Sequence, residues 1–263
     1  MVRPDPYAWQ LDLEAVLVVC LLAGGYAIGA RGRPVGAWRV ACLAAGLALV
    51  LLTHVSPLAA IANHYLLSAH LLQNVILAEW APALLVASIP PALAGRLASL
   101  PAARLLTHPA LALPAWALTY LVWHLPWPYE AALEHQSTLL HLEHACYFAS
   151  GLILWWPVLQ AQPHALGPGA KAAYLACAFV LASPLGLVLS LLSVPVYDFY
   201  ARGPGLWGLS PLADQQIGGV SMSVEEAALF AFLGARYLRS FLRQEERADA
   251  FAAPIRAPTS DRR

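Results

Sequence analysis

Seven predominantly apolar stretches, each near the roughly 20 residues that a helix needs to cross a bilayer core, divide the chain at 11–30, 37–56, 62–89, 106–124, 136–158, 170–193 and 217–240. This pattern predicts an all-α polytopic membrane protein of seven transmembrane helices, built as a single domain over residues 1–243. From Gln244 onward charge, Ala and Pro mix without an apolar period, so residues 244–263 read as a disordered tail. Pro34, Pro57, Pro90, Pro91, Pro126, Pro128 and Pro157 fall at the junctions, where a missing amide hydrogen costs least. Pro114 and Pro184 fall inside stretches and predict kinks. The first stretch follows only Arg3 and has Asp12 and Glu14 at its mouth, which reads as a retained helix and not a signal peptide.

Lys and Arg set the direction, because positively charged short loops stay in the cytoplasm. With the amino terminus outside, thirteen basic residues (Arg31, Arg33, Arg39, Arg96, Arg104, Lys171, Arg236, Arg239, Arg243, Arg247, Arg256, Arg262 and Arg263) lie inside. Only Arg3 and Arg202 lie outside. The carboxyl terminus is therefore expected in the cytoplasm, and the chain in the plasma membrane against lipid.

Composition narrows the class further. Of the residues, 60% are hydrophobic and 11% charged, where a soluble domain carries roughly a quarter charged, and the mean hydropathy is +0.61. Basic and acidic residues balance at 15 each, which excludes a nucleic-acid binder. Cys20, Cys42, Cys146 and Cys177 sit singly in apolar runs and read as small hydrophobes. Seven helices invite a retinal protein, but the one lysine, Lys171, lies at a helix mouth, which excludes a buried Schiff base.

With that topology His54, His64, His70, His124, His135, His141 and His144 gather toward the outer side, with Glu130, Glu134, Glu143, Asp198, Asp214, Glu225 and Glu226. Imidazoles and carboxylates are costly in hydrocarbon and face a cavity, a partner or an ion. His70 lies eight residues into its stretch, His141 and His144 five and eight into theirs, and Met222 five into the last. At 1.5 Å per residue they share a layer about 8 to 12 Å deep. His141 and His144, three apart, share a helix face. For His54, His64 and His135 the plain reading is an interhelical hydrogen bond. Met222 also has a plain packing reading, and Glu79 has no evident partner.

The segments "SPLAAIANHYLLSAHLLQNVILAEWAPALL", "WHLPWPYEAALEHQSTLLHLEHACYFASGLILWWPV" and "LADQQIGGVSM" resemble the CtaG family of caa3-type cytochrome c oxidase assembly factors. These are seven-helix membrane proteins, distinct from the single-span copper chaperone of the same name. The resemblance covers about residues 50–243 and implies a role in maturing a haem-copper oxidase, with the oxidase subunits as partners and copper as the supplied metal. Carried over by position, it marks His70, His124, His141, Glu143, His144, Asp214, Gly218, Gly219 and Met222. The family pattern departs at Asn74, where a second histidine is usual, and at Ser223, where Trp is usual.

Imidazole with thioether suits Cu(I), and imidazole with carboxylate suits Cu(II). The expected ligands are His70, His141 and His144, with His124, Asp214 and Met222 as a relay and Glu143 and Asn74 behind them. The rivals are a membrane zinc hydrolase using a metal-bound water, haem ligation by facing histidines, and a scaffold without metal.

Overall fold

The computed structural model describes residues 4–252, and side chains as far as residue 249. Arg3 and the arginines at 256, 262 and 263 lie outside the described residues. Among the described residues the chain is helical, without a strand. Five helices are long and apolar enough to cross a membrane: Leu13–Ala30, Ala37–Val55, Leu67–Ser88, Pro168–Leu191 and Pro211–Asp249. These make the chain a multi-pass membrane protein.

In chain order, α1 (Leu13–Ala30) packs on α2 (Ala37–Val55). The third apolar stretch is α3 (Pro57–His64), α4 (Leu67–Val75), a wide π-helical turn over Ile76–Trp80, and α5 (Ala81–Ser88). Short α6 (Pro91–Ala98) and α7 (Pro101–Leu106) lead to α8 (Pro109–Trp123) and α9 (Pro126–Glu134). A second π-helical turn (Gln136–Leu140) opens α10 (His141–Leu159), followed by α11 (Pro168–Leu191), the single turn α12 (Asp198–Ala201) and α13 (Pro211–Ala252). Seven of these helices begin on a proline. The ring presets the helical φ at a position whose amide hydrogen would have no partner.

Three sequence expectations shift. The stretch 62–89 is broken at Tyr65 and Leu66, where φ falls to −128° and −129°, so helical phase cannot be carried from His64 to His70. The last helix begins at Pro211, six residues before the apolar run it was read from, because Asp214, Gln215 and Gln216 hide its first turns. Met222 then lies eleven residues in, about 16 Å deep at 1.5 Å per residue, below the layer expected for it. The tail read as disordered is helical through Ala252. Gln244, Glu245, Glu246, Arg247 and Ala248 are good helix formers and extend the helix without a core. At 42 residues α13 is about 63 Å long, so its charged end projects past any bilayer.

The segment Leu67–Ser88 is the axis, with 72% of its window buried against 11% for Leu13–Ala30. Neighbouring helices satisfy both of its ends. At the start, the Asp214 carboxylate on α13 accepts from Leu67 N (2.6 Å), Ser68 N (3.2 Å) and Ser68 Oγ (2.5 Å). At the other end Gln160 Nε2 donates to Val86 O (2.7 Å). Arg39 Nη1 donates to Ala87 O (2.8 Å) and Ile89 O (2.5 Å), and the Tyr26 hydroxyl to Ser88 O (2.8 Å). Terminal backbone groups that a helix leaves without partners are thus met here by side chains of its neighbours.

Pro82 explains the π-helical turn. Its nitrogen cannot bond Ala78 O, and its ring crowds that carbonyl, so the helix widens and Ala81 N reaches Ile76 O. α10 passes close at this point, and a Cβ on Gly151 would lie 2.1 Å from Ala78 O. Gly151→Ala should therefore force backbone apart, costing about 2 kcal/mol or more, within the overpacking range. Thermal unfolding in detergent measures it, and an unchanged midpoint would refute the close contact. The α11 to α13 contact is equally tight, since a Cβ on Gly219 would lie 2.6 Å from Gly186 O. Ser223 lies in that contact, its Oγ 2.4 Å from where a Gly186 Cβ would stand.

Candidate metal centre

α4 has two unlike faces. Ser68, Leu71, Leu72 and Val75 line a small cavity with Met222 and Gly218 of α13. His70, Gln73 and Asn74 lie on the opposite side at 100° per residue and are fully buried. Gln73 Nε2 donates to Thr53 O of α2 (2.7 Å), and Asn74 Nδ2 to Glu143 Oε1 of α10 (3.1 Å). The first turn of α10 thus meets the polar face of α4. His70 and His144 have ring centroids 6.1 Å apart.

The hydrogen bonds fix the tautomer of His70. Tyr200 on α12 has one hydroxyl proton, which it donates to Ala62 O (2.5 Å). Burial, then the nearby Glu143 and Asp214 carboxylates, hold that phenol well above its usual pKa, so it stays protonated. The 2.9 Å contact between Tyr200 Oη and His70 Nδ1 must then be a donation from Nδ1–H. The free lone pair of a neutral His70 is on Nε2, which faces Glu143 Oε1 at 3.6 Å. Two buried acceptors facing each other need a proton or a cation between them.

Five buried polar atoms without a partner lie here, His70 Nε2, Asn74 Oδ1, Glu143 Oε2 and both ring nitrogens of His144, and others lie deeper in the bundle, on Glu79, Glu225 and Glu226 among them. Unsatisfied buried polar groups are rare and mark an ion, a water or a functional strain. Neutral imidazole nitrogens with a carboxylate fit a first-row divalent or copper ion and not Mg or Ca, which prefer oxygen alone. As the side chains stand, no three His, Cys, Asp or Glu among the described residues are arranged to hold one metal ion. Coordination would need ring rotations.

The other expected residues divide. His141 is partly exposed and its Nδ1 contacts Glu14 Oε2 on α1 at 2.8 Å. It lines one cavity with His144 and His54. His124 Nδ1 donates to Tyr120 O (2.8 Å), leaving Nε2 buried and unpartnered. The Tyr129 ring stands between His124 (6.0 Å) and His70 (5.0 Å), so His124 is one aromatic layer removed. Asp214 has both oxygens engaged in capping α4, and Met222 packs on the face of α4 turned away from His70. Neither joins the cluster. Glu79, fully buried, faces Glu225 and Glu226 of α13 instead.

Besides Tyr200, which meets His70 Nδ1, two contributors escape sequence reading. His54, taken as a hydrogen-bond partner, does donate from Nδ1 to Val50 O (2.8 Å), but its ring also meets that of His144 at 5.2 Å. Glu14, taken as a mark of the first helix mouth, reaches His141. Period and spacing describe single helices and carry no signal for α1 and α2 closing on α10.

A family model for the cytochrome c oxidase caa3 assembly factor (Caa3_CtaG) matches residues 20–244. No curated protein and no solved structure matches the chain. With that match spanning most of its length, the chain belongs to the caa3-type cytochrome c oxidase assembly factors.

Proposed function

We propose that this chain supports oxidase assembly by holding copper at His70, Glu143 and His144 and passing it to the oxidase, with seven crossings, the amino terminus outside and the metal centre near the outer face of the plasma membrane. The observation that carries the reading is the buried set of His70 Nε2, Glu143 Oε2 and His144 ring nitrogens, which no protein group partners. A cation would satisfy His70 Nε2, Glu143 Oε2 and one of the two His144 nitrogens, and packing alone leaves them without partners. Tyr200 fixes the His70 ring, and Asn74 holds Glu143, as outer partners orient metal ligands. In this reading α8, a shorter apolar helix, and α10 supply the two crossings that the five long apolar helices leave. The charge asymmetry favours the orientation. Copper is cargo in this reading, and exchange needs donors that can turn away, which suits an incompletely converged set.

Metal analysis of detergent-purified protein, as isolated and after copper loading, tests it. The wild type should retain copper, and His70→Ala and His144→Ala should each weaken retention about tenfold or more, the usual cost of disturbing a metal site. Equal retention in all three proteins, or zinc held in preference to copper, would overturn the reading.

A further inference from the structure

The exposed contact between Glu14 and His141 has little structural reason. Ion pairs this open to solvent contribute little stability, and the α1 they tether is the least buried of the long helices. Behind the pair lies a cavity of about 260 Å³, lined by Asp12, Glu14, His54, His141 and His144 among apolar side chains. A polar hollow of about 480 Å³, lined also by Gln10, Asn63 and Gln136, opens beside it. His54 and His144 meet edge to face at 5.2 Å. Since His54 Nδ1–H is committed to Val50 O, its Nε2 carries the free lone pair. His144, buried and with both ring nitrogens unpartnered, forms the floor.

From this we infer a second, exchangeable site for copper, made by Glu14, His54 and His141 at the mouth of the cavity, with His144, whose neutral ring has one lone pair and serves one ion at a time, as the ligand that passes between this site and the buried centre. Its donors are two to three imidazoles and a carboxylate, a set suited to Cu(II) once the side chains turn toward one another, since no three of them converge as they stand. Glu14 leaving His141 frees the imidazole nitrogen and the carboxylate together, so opening the mouth and creating the donors are one motion. The ion reaches the His70 centre by exchanging ligands at His144, and no redox step is involved. Glu14 lies before the segment matched by the family model, residues 20–244, and His54, His141 and His144 lie within it.

The inference rests on the copper reading and is tested so that the two can fail separately. The untagged full-length protein in detergent is loaded with copper(II) sulfate and given a brief chelator pulse. The wild type should lose one labile ion and keep one protected ion. Glu14→Gln should weaken the labile ion about tenfold or more, and Glu14→Gln with His54→Asn should abolish it, the protected ion remaining. His70→Ala should do the reverse. No labile ion in the wild type, or an unchanged labile ion in the double variant, would overturn the outer site. A protected ion that survives His70→Ala would overturn the buried centre and leave the outer site standing. Glu14 is exposed, so its replacement leaves the fold intact and the measurement interpretable.

Discussion

Cells relying on a protein with His70→Ala and His144→Ala together should assemble a terminal oxidase with most of its copper and activity missing at limiting copper, a loss of about tenfold or more given what displaced metal ligands cost. The variant protein itself should insert and accumulate. Both ring nitrogens of His144 are unpartnered, and removing such groups relieves a desolvation cost. Losing His70 takes one hydrogen bond from Tyr200, worth about 1 kcal/mol, while Tyr200 keeps its bond to Ala62 O. Excess copper should restore part of the activity, because mass action compensates a weakened site. His135→Ala should do far less, since the exposed His135 ring bonds only Ala131 O of its own turn. Copper content and activity of the oxidase in membranes decide the matter. Normal oxidase with the variant at wild-type abundance would defeat copper delivery and favour a scaffold.

What could be read in advance follows the range of the interactions. Helical period found each apolar element, and of the prolines read as junctions Pro57, Pro91 and Pro126 do begin helices while Pro157 lies in the last turn of α10, because both signals act over a few residues. The one-turn spacing of His141 and His144 does place both on one cavity. What was illegible arises between segments. Pro82 is visible in the sequence, but the wide turn it causes matters only because Gly151 passes there. The break at Tyr65 and Leu66 carries no Gly or Pro to announce it. It is held by Asp214 from 147 residues away. Equal depth was the argument for adding Met222 to the histidines, and depth was misjudged once the helix start was misplaced. Rotation also decides, and Met222 meets the wrong face of α4. His54 and Glu14 join the histidine cluster through the packing of α1 and α2, which no spacing within one helix encodes.

Asp214 gives the other large expected effect, on stability instead of copper. Asp214→Ala would strip the partners from Leu67 N, Ser68 N and Ser68 Oγ at the start of the axial helix. Leu67 N is buried and the Ser68 donors partly so; a buried donor left unpaired costs about 1 to 3 kcal/mol, so a loss on the order of 3 kcal/mol is expected, a large share of the roughly 5 to 15 kcal/mol that holds most domains together. The negative charge also lies against a helix amino terminus, where it is favourable. Asp214→Asn should therefore recover part of the stability, keeping one acceptor oxygen and the shape but losing the charge. Thermal unfolding in detergent should rank the wild type above Asn and Asn above Ala, while copper bound per folded molecule stays the same in all three. A ligand would behave oppositely, with a wild-type melting curve and reduced copper in Asp214→Ala. That result would return Asp214 to the metal relay and remove its role as the cap of α4.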